Sequence, residues 1–581
     1  MIKAELHDIG KLIDKQSTGI EHNFDNYPRE LATDTWRGIR EHHCSDFTRY
    51  PIKPDTFKLS IADQLASSIS RYKVERKGTL FLLYKLWNGD SNKKPFELIK
   101  SKKEIDDLVL FIEKDPTVDE FFSKYGSQLK ERPEDATLGK NITSLYTHSK
   151  LAGQFFRILM SDEKAFPVQA DELNNLSKEQ IGELMKSKMQ QWKICGIRCQ
   201  LNFSLKPIRA KDLNIFKVQE NVIDDIKRNF PDNVFFSNSQ EILIIAPSCS
   251  QILQEIKEKI SEHGLWSHVT IAETQISGLK PNPEKIGGNK SKAMYPQLAN
   301  QIEPPICELC QVRKADHTWV DEESGIKEEI CEKCWNVRQM GSLLPRFAEW
   351  EKSEEKLNIC WIKIWLNYEK LLFSLEQLYK GYLENYGVKL PTEIDVRFTT
   401  VAEFQWDYNN FISDFRNRIA QIFGGNIQEI LSDFVVARIT SLSQTKLILS
   451  TYNEVLSKYF PKLKEISSPI QVAVVASNLQ FPFSETWRLL QDVKTDVNVH
   501  LINKGTIYLK VHEIEDFLRI PLPPKTFLHK IVRIDELSSK LSRIMLYDRR
   551  DRDSWRYNGI RQAIERYGHQ NVLTYAKMMG G

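Results

Sequence analysis

Histidine and aspartate stand together at several places in the first 150 residues. His7 and Asp8 are adjacent in Leu6-His7-Asp8-Ile9-Gly10-Lys11, and His42 is followed by His43. Asp63 lies in Ile61-Ala62-Asp63-Gln64-Leu65, and His148 in Tyr146-Thr147-His148-Ser149-Lys150-Leu151. Imidazole nitrogens and carboxylates suit a divalent metal that keeps one coordination position open and activates water there. Two adjacent helical histidines point about 100° apart. His42 and His43 could therefore serve a second metal, or one could be a ligand and the other not. Lys11, one turn past His7, is placed to contact a phosphate; His22 is a weaker candidate ligand. A His-Asp dipeptide alone is a weak signal, and a lone helical histidine is more often a hydrogen-bonded core residue. Several such positions, each in an apolar helical frame, point instead to a metal centre.

A second cluster is sulfur only. Cys307-x2-Cys310-x20-Cys331-x2-Cys334 is a pair of knuckles whose four thiolates suit tetrahedral zinc. A closed all-thiolate site leaves no position for substrate, so it reads as structural zinc. Asp316 and His317, between the knuckles, are not needed as ligands. The other cysteines, Cys44, Cys195, Cys199, Cys249 and Cys360, are scattered in sequence, which suits a reducing, cytoplasmic setting.

The elements that must position these groups fall into blocks. The 581 residues suffice for several domains, and a net charge of +3 with 27% charged residues describes mixed-sign surfaces rather than a strongly basic protein. No apolar run reaches the ~18 residues of a membrane span, and the first residues lack signal-peptide architecture; no membrane association is expected. Residues 1–185 read as helical, with apolar residues at helical spacing over 61–72, 80–87, 105–112 and 144–160. Near residue 190 the pattern changes. Strands over 194–203, 233–236, 241–246 and 267–275 alternate with helices over 218–229 and 250–263. That β-α-β-β-α-β order is ferredoxin-like, the core of palm domains. Residues 277–305, rich in proline, glycine and lysine, read as a linker or mobile loop.

A second set follows the knuckles: a strand over 359–366, helices to about 430, and a strand over 434–439. A polar turn at Ser441-Leu442-Ser443-Gln444, a strand over 446–449, a helix over 452–459 and a strand over 471–476 follow. A helix over 484–492 and strands over 497–502 and 506–511 come after. The fold class expected is α+β multidomain: a helical domain (1–185), a palm-like domain (186–280), linker and zinc ribbon (281–345), a second palm-like domain (346–515) and a helical C-terminal domain (516–581). The turns Ser237-Asn238-Ser239-Gln240 and Ser441-Leu442-Ser443-Gln444 align the two palms.

The His and Asp motifs resemble those of the HD metal-dependent phosphohydrolases. That superfamily runs His, His-Asp, further His, then Asp. Here the His-Asp pair comes first, and the missing first histidine matches His148, so the domain resembles a circularly permuted HD fold. The resemblance implies His7, Asp8, His42, His43, Asp63 and His148 as ligands of a divalent transition metal such as manganese or nickel, with His7, Asp8 and Lys11 catalytic.

The whole succession resembles the large subunit of type III CRISPR effector complexes: permuted HD domain, palm, four-cysteine ribbon, second palm, helical tail. Ser144-Leu145-Tyr146-Thr147-His148-Ser149 resembles that family's post-HD motif, and Val474 to Phe483 its last palm strand, with Gln480 in place of the usual basic residue. The family makes cyclic oligoadenylates with a Gly-Gly-Asp-Asp hairpin. Here the matching hairpin is read as Ser441-Leu442-Ser443-Gln444, without a carboxylate, and the strand that supplies another aspartate reads Ile364-Trp365-Leu366-Asn367. Two-metal nucleotidyl transfer needs carboxylates, so no cyclase activity is expected, as in a divergent subgroup with a disabled cyclase.

The resemblance implies CRISPR RNA, target RNA and single-stranded DNA as partners, beside backbone and small subunits, with the HD site cutting DNA. The tail carries Arg549, Arg550, Arg552, Trp555 and Arg556, a weak candidate for nucleic-acid or partner contact; the interleaved Asp548, Asp551 and Asp553 equally suit a salt-bridged helix face. The alternatives are a non-catalytic scaffold of this or a type I-D complex, and a stand-alone HD nucleotide phosphohydrolase.

Overall fold

A computed structural model describes residues 2–13, 34–42, 52–70, 86–88, 102–132, 143–201, 210–263, 267–280, 290–295, 304–311, 313–320, 327–339, 358–385, 396–479, 481–502 and 505–520, with residues 265, 283, 286 and 325. They group into two compact units. One is drawn from 1–202, 222–297 and 375–407, the other from 203–221, 298–374 and 408–581.

The N-terminal segment makes two 3-10 turns, Ala4–Leu6 and Ile9–Leu12, with His7 and Asp8 at the joint between them. Helices α1 (Asp34–Glu41), α2 (Pro54–Ser70), α3 (Lys102–Glu113), α4 (Val118–Glu131), α5 (Leu145–Ser161) and α6 (Lys178–Gln191) follow. Their starts are set by side chains. Thr117 with Glu120 and Ser177 with Gln180 form capping boxes, and Ser144 caps α5 by accepting from Thr147 N. Such caps satisfy amide donors that the first turn leaves unpaired. Leu6, Ile9, Leu12, Ile39, Leu108, Phe121 and Leu145 share one buried core, so the 3-10 turns are held by the apolar residues that flank His7 and Asp8.

The same unit holds a five-stranded sheet. Its elements are β1 (Lys193–Leu201), α7 (Asn214–Asn229), β2 (Val234–Ser237), β3 (Glu241–Ala246), α8 (Cys249–Glu262), β4 (Ser267–Gln275) and β5 (Lys290–Tyr295), in strand order β2-β3-β1-β4-β5. The first four strands are the expected ferredoxin-like arrangement. Strand β5 lies where a linker was expected: Lys290–Tyr295 pairs antiparallel with β4. A proline- and glycine-rich stretch hides a short edge strand because such a strand needs a partner for only one of its backbone edges. Cys195 of β1 and Cys249 at the start of α8, which read as scattered, are joined as a disulfide with Cα atoms 5.5 Å apart.

The second unit contains the two-stranded hairpin β6 (His317–Val320) and β7 (Lys327–Ile330), followed by α9 (Glu332–Gln339). Beyond it in the chain come β8 (Asn358–Leu366), α10 (Tyr368–Asn385), α11 (Phe398–Phe423), β9 (Ile427–Leu431), β10 (Phe434–Ile439), α12 (Gln444–Tyr459), β11 (Ile470–Asn478), α13 (Phe483–Gln491), β12 (Val497–Leu501), β13 (Gly505–Leu509) and α14 (Ile514–Arg519); residues 375–385 of α10 and 398–407 of α11 belong to the first unit, and residues 214–221 of α7 to the second. The sheet order is β13-β12-β11-β8-β10-β9. Four of its strands repeat the ferredoxin-like order, and β12 and β13 extend the β11 edge.

The hairpin of this sheet is not where the sequence reading puts it. Ser441, Leu442 and Ser443 form the turn from β10 into α12, and Gln444 is the first residue of that helix; its side chain accepts from Thr440 N and Ser441 N. Residues 446–449 are helical, not a strand. Leu449, Tyr452 and Leu456 continue the buried positions at helical spacing, whereas four apolar residues seen alone cannot tell helix from strand. The hairpin is β9–β10, where Phe434 is registered with Leu431 across the turn Ser432-Asp433. It therefore does carry one carboxylate, Asp433. Ser237 to Gln240, by contrast, is a hairpin turn as expected.

His43 and the tail residues Arg549, Arg550, Arg552, Trp555 and Arg556 lie outside the described residues. Among the described residues, no helix is long and apolar enough to cross a membrane.

Candidate metal centre

Three segments deliver the ligand candidates. The joint between the 3-10 turns carries His7 and Asp8, α2 carries Asp63, and α5 carries His148 one residue beyond its capping turn. Helices α2 and α5 pack against each other, and α5 also packs on the first 3-10 turn. His7, Asp8 and His148 are fully buried, and the Asp63 side chain is 14% exposed, the one opening toward solvent among the four.

One ligand atom from each of His7, Asp8, Asp63 and His148 lies within 4.8 Å of all the others. His148 Nε2 is 3.0 Å from Asp63 Oδ1 and 3.1 Å from Asp8 Oδ2. His7 Nε2 is 3.4 Å from each of the same two oxygens. His7 Nδ1 donates to Ala4 O at 2.6 Å. With its proton committed there, His7 turns an Nε2 lone pair toward two carboxylates and a second imidazole. Such a convergence of lone pairs is relieved by a shared proton or a cation. Burial alone would raise the Asp63 pKa; where a proton rather than a cation occupies the Nε2 positions, hydrogen bonds from His148 and His7 and the charge those protons bring hold it well below the usual carboxylate range. The donor set, two imidazoles and two carboxylates, fits a divalent transition metal.

His42, just past α1, lies outside this set of four. Its Nδ1 donates to Ile39 O at 2.9 Å, and its Nε2 sits 3.5 Å from the other oxygen of Asp8. Burial lowers the His42 pKa, but the Asp8 carboxylate outweighs it and leaves a net rise. Asp8 thus faces histidines with both oxygens. Lys11 also reaches Asp8: its Nζ donates to Oδ2 at 2.5 Å. Its ammonium is spent on a ligand candidate rather than displayed for a phosphate.

Sequence reasoning missed the groups that hold this frame. Glu5, buried beside His7, pairs with Arg157 of α5, which also reaches Asp232 at 2.6 Å. Gly153 of α5 lets Glu5 lie against the helix: a Cβ there would overlap the carboxyl group. Glu403 of α11 accepts from Ser144 and Thr147 at the start of α5. A Ser-x-x-Thr start marks a cap, but no local pattern identifies a glutamate 259 positions away.

In the second unit, Cys307, Cys310, Cys331 and Cys334 are buried with their sulfurs mutually within 4.8 Å. The Cys310 and Cys331 sulfurs are 3.9 Å apart. A tetrahedral site with Zn–S bonds of about 2.3 Å has edges of about 3.8 Å, so the spacing fits. Arg338 of α9 backs the knuckles with buried bonds to Asp212 at 2.8 Å and Glu328 at 2.7 Å.

The second sheet offers no comparable metal site among the described residues. Asp433 of the β9–β10 turn is buried and acts on Lys363 of β8. Burial pushes the Lys363 pKa down to about 8, and the Asp433 charge limits that fall. Lys363 Nζ also lies 4.9 Å from the Trp487 ring centroid.

No protein-family model matches this chain, and no curated protein matches it. Solved structures do. A Csm1–Csm4 cassette in complex with pppApA is 12% identical with a TM-score of 0.49, over 100% of this chain and 99% of that one. A Csm1–Csm4 cassette in complex with cA3 is 14% identical with a TM-score of 0.47, also over 100% and 99%. Csm1 in T.onnurineus is 13% identical with a TM-score of 0.46, over 99% and 98%.

Proposed function

We propose that this chain is the large subunit of an RNA-guided type III CRISPR effector complex, and that its N-terminal site hydrolyses phosphodiester bonds of single-stranded DNA. The observation that carries the reading is the convergence of His7, Asp8, Asp63 and His148, the residues that the permuted HD resemblance names, on one buried point. The ordered succession of motifs, including the cysteine knuckles and both ferredoxin-like sheets, supports it. A stand-alone phosphohydrolase would leave the knuckles and the second sheet without a role.

In this reading His7, Asp8, Asp63 and His148 hold a divalent transition metal, manganese or nickel in class, with His42, on the other oxygen of Asp8, and His43 as further ligands. When bound, such an ion lowers the pKa of a coordinated water toward neutrality and polarises a phosphoryl oxygen. The chain's residues do the rest. Ala4 O fixes the His7 tautomer. Asp8 and Asp63 supply two negative charges that no water solvates fully. Lys11, buried and bonded to Asp8 Oδ2, offsets part of that negative charge. The four cysteines hold a structural zinc.

Synthesis of cyclic oligoadenylate is not part of this function. A lone Asp433 facing the Lys363 ammonium is a poor substitute for the carboxylates that hold two magnesium ions. The partners are CRISPR RNA, target RNA, single-stranded DNA, and the backbone and small subunits of the complex, a Csm4-type subunit among them. A cytoplasmic location follows from that assembly, and the arginine-rich tail from Arg549 to Arg556 is a contact for nucleic acid or a subunit.

The test is purification from the native host with sequencing of bound RNA, followed by DNA cleavage assays on the assembled complex with ATP present. Expected are short RNAs with a common repeat-derived tag. Target-RNA-dependent cleavage should disappear in His7→Ala and Asp8→Ala, and no oligoadenylate should form. An RNA-free monomer, or cleavage that survives both substitutions, would overturn the reading.

A further inference from the structure

The helix that carries His148 begins on a buried carboxylate. Glu403 of α11 is 3% exposed, and its Oε1 accepts from Ser144 N at 3.1 Å, from Ser144 Oγ at 2.7 Å and from Thr147 Oγ1. Ser144 is the N-cap of α5, and its Oγ accepts in turn from Thr147 N at 3.2 Å. His148 is the next residue, and its own amide donates to Ser144 O at 3.0 Å. The first turn of α5 is therefore pinned at its cap and at the residue before the ligand by one side chain. A negative charge at a helix N-terminus is favoured by the helix dipole, and hydrogen bonds to a buried carboxylate are stronger than neutral ones.

The neighbouring contacts narrow the freedom of that turn further. Tyr146 meets Trp406 edge to face at 5.2 Å between centroids, and Lys150 Nζ lies 4.5 Å from the Trp406 centroid. One turn beyond Glu403, Asp407 accepts from Trp87 Nε1 at 2.8 Å, which fastens the same stretch of α11 without touching α5. Two carboxylates on one helix thus have different reach: Glu403 bonds to the His148 turn, and Asp407 bonds to Trp87.

We infer that Glu403 is the positioning residue of the metal centre: through Ser144 and Thr147 it holds His148 at the distance from Asp8 and Asp63 at which all four ligands can close on one ion. This rests on the reading of His7, Asp8, Asp63 and His148 as a metal site. Outer-shell partners of metal ligands usually weaken binding by about 10–100-fold when removed. Glu403 acts one bond further out, through the turn on which the ligand rides, so its loss falls at the lower end, about tenfold.

The test uses the full chain with zinc already in the cysteine site and Mn2+ as the probe. Free Mn2+ is counted by electron paramagnetic resonance, and imidazole ligands by their nitrogen couplings. Wild type should bind one Mn2+ or more with couplings from His7 and His148, and His148→Ala should lose one coupling. Glu403→Gln and Thr147→Val should each weaken binding about tenfold and disturb the His148 coupling, with the double variant little worse than Glu403→Gln. Trp87→Phe, which loses a bond on the same helix, should lower the melting temperature yet leave affinity and couplings unchanged. If Glu403→Gln fails to fold, Thr147→Val carries the comparison alone. Wild-type affinity and couplings in folded Glu403→Gln or Thr147→Val would overturn the inference while leaving the metal site standing. Wild type that binds no Mn2+, or binds it as His148→Ala does, would overturn the metal site and the inference with it.

Discussion

His7 Nε2 and His148 Nε2 lie 3.3 Å apart across 141 positions of sequence. That is the distance at which one imidazole N–H donates to the other's lone pair, and also one at which two nitrogens can share a cation. Asp8 and Asp63 supply the opposite charge around the pair, at 3.0–3.4 Å.

Removing one of these ligands should therefore cost the site its ion rather than the protein its fold. His148→Ala and Asp63→Ala are each expected to lower affinity for Mn2+ or Ni2+ by about two orders of magnitude, since each removes one of the four converging donors. Isothermal titration on zinc-loaded protein checks this. Unchanged stoichiometry and affinity in both variants would place the metal elsewhere.

Gly153→Ala tests the frame rather than the ligands. The added methyl overlaps the Glu5 carboxyl group, which is buried and paired with Arg157. The Glu5 side chain would have to shift off the face of α5 and disturb its pair with Arg157. Overpacking of this kind costs about 1–3 kcal/mol. A fall in melting temperature together with weaker metal binding is expected, and a wild-type melting curve would show that the turn adjusts freely.

His500, buried in β12 with Nδ1 2.9 Å from Thr506 Oγ1, links stability to pH. Burial pushes its pKa down from 6.5 to about 4. The unfolded chain then binds more protons than the folded one between those values, so stability rises with pH across that window. Acidification from pH 6.5 to about 4 should cost roughly 3 kcal/mol from this residue at one pKa unit per ~1.4 kcal/mol. His500→Gln should flatten that part of a pH series of chemical unfolding. Lys363 acts in the same sense at alkaline pH: with its pKa lowered from 10.5 to about 8, stability should rise between those values, and not in Lys363→Met.

Zinc removal should act locally. Chelation, or Cys331→Ser, deprives the β6–β7 hairpin and α9 of the ion they share, and among the described residues β6 and β7 form a sheet of two strands with no larger sheet to hold them. Hydrogen exchange in 307–339 should accelerate while β8 and β11 keep their protection. Global unfolding on chelation would mean that the knuckles hold far more than their own module.

The local chemistry was legible in the residues themselves. The Cys-x2-Cys pairs need no tertiary information, because each knuckle is a short-range geometry, and the strands and helices from 193 to 275 match the structure within a residue or two, except that the helix expected over 218–229 begins at Asn214. His7-Asp8, Asp63 and His148 could be named from their motifs. Their meeting could not be read from spacing, because it depends on how α2, α5 and the 3-10 turns pack. The second hairpin went wrong for a related reason. Residues 446–449 are too short an apolar run to show a period, and only pairing with β10 identifies 427–431 as the partner strand. Glu403, Glu5 and Gly153 had no signature at all. A buried carboxylate or a missing Cβ has meaning only once a neighbour from far along the chain is beside it, and that proximity is set by the packing of whole helices, not by any stretch of sequence.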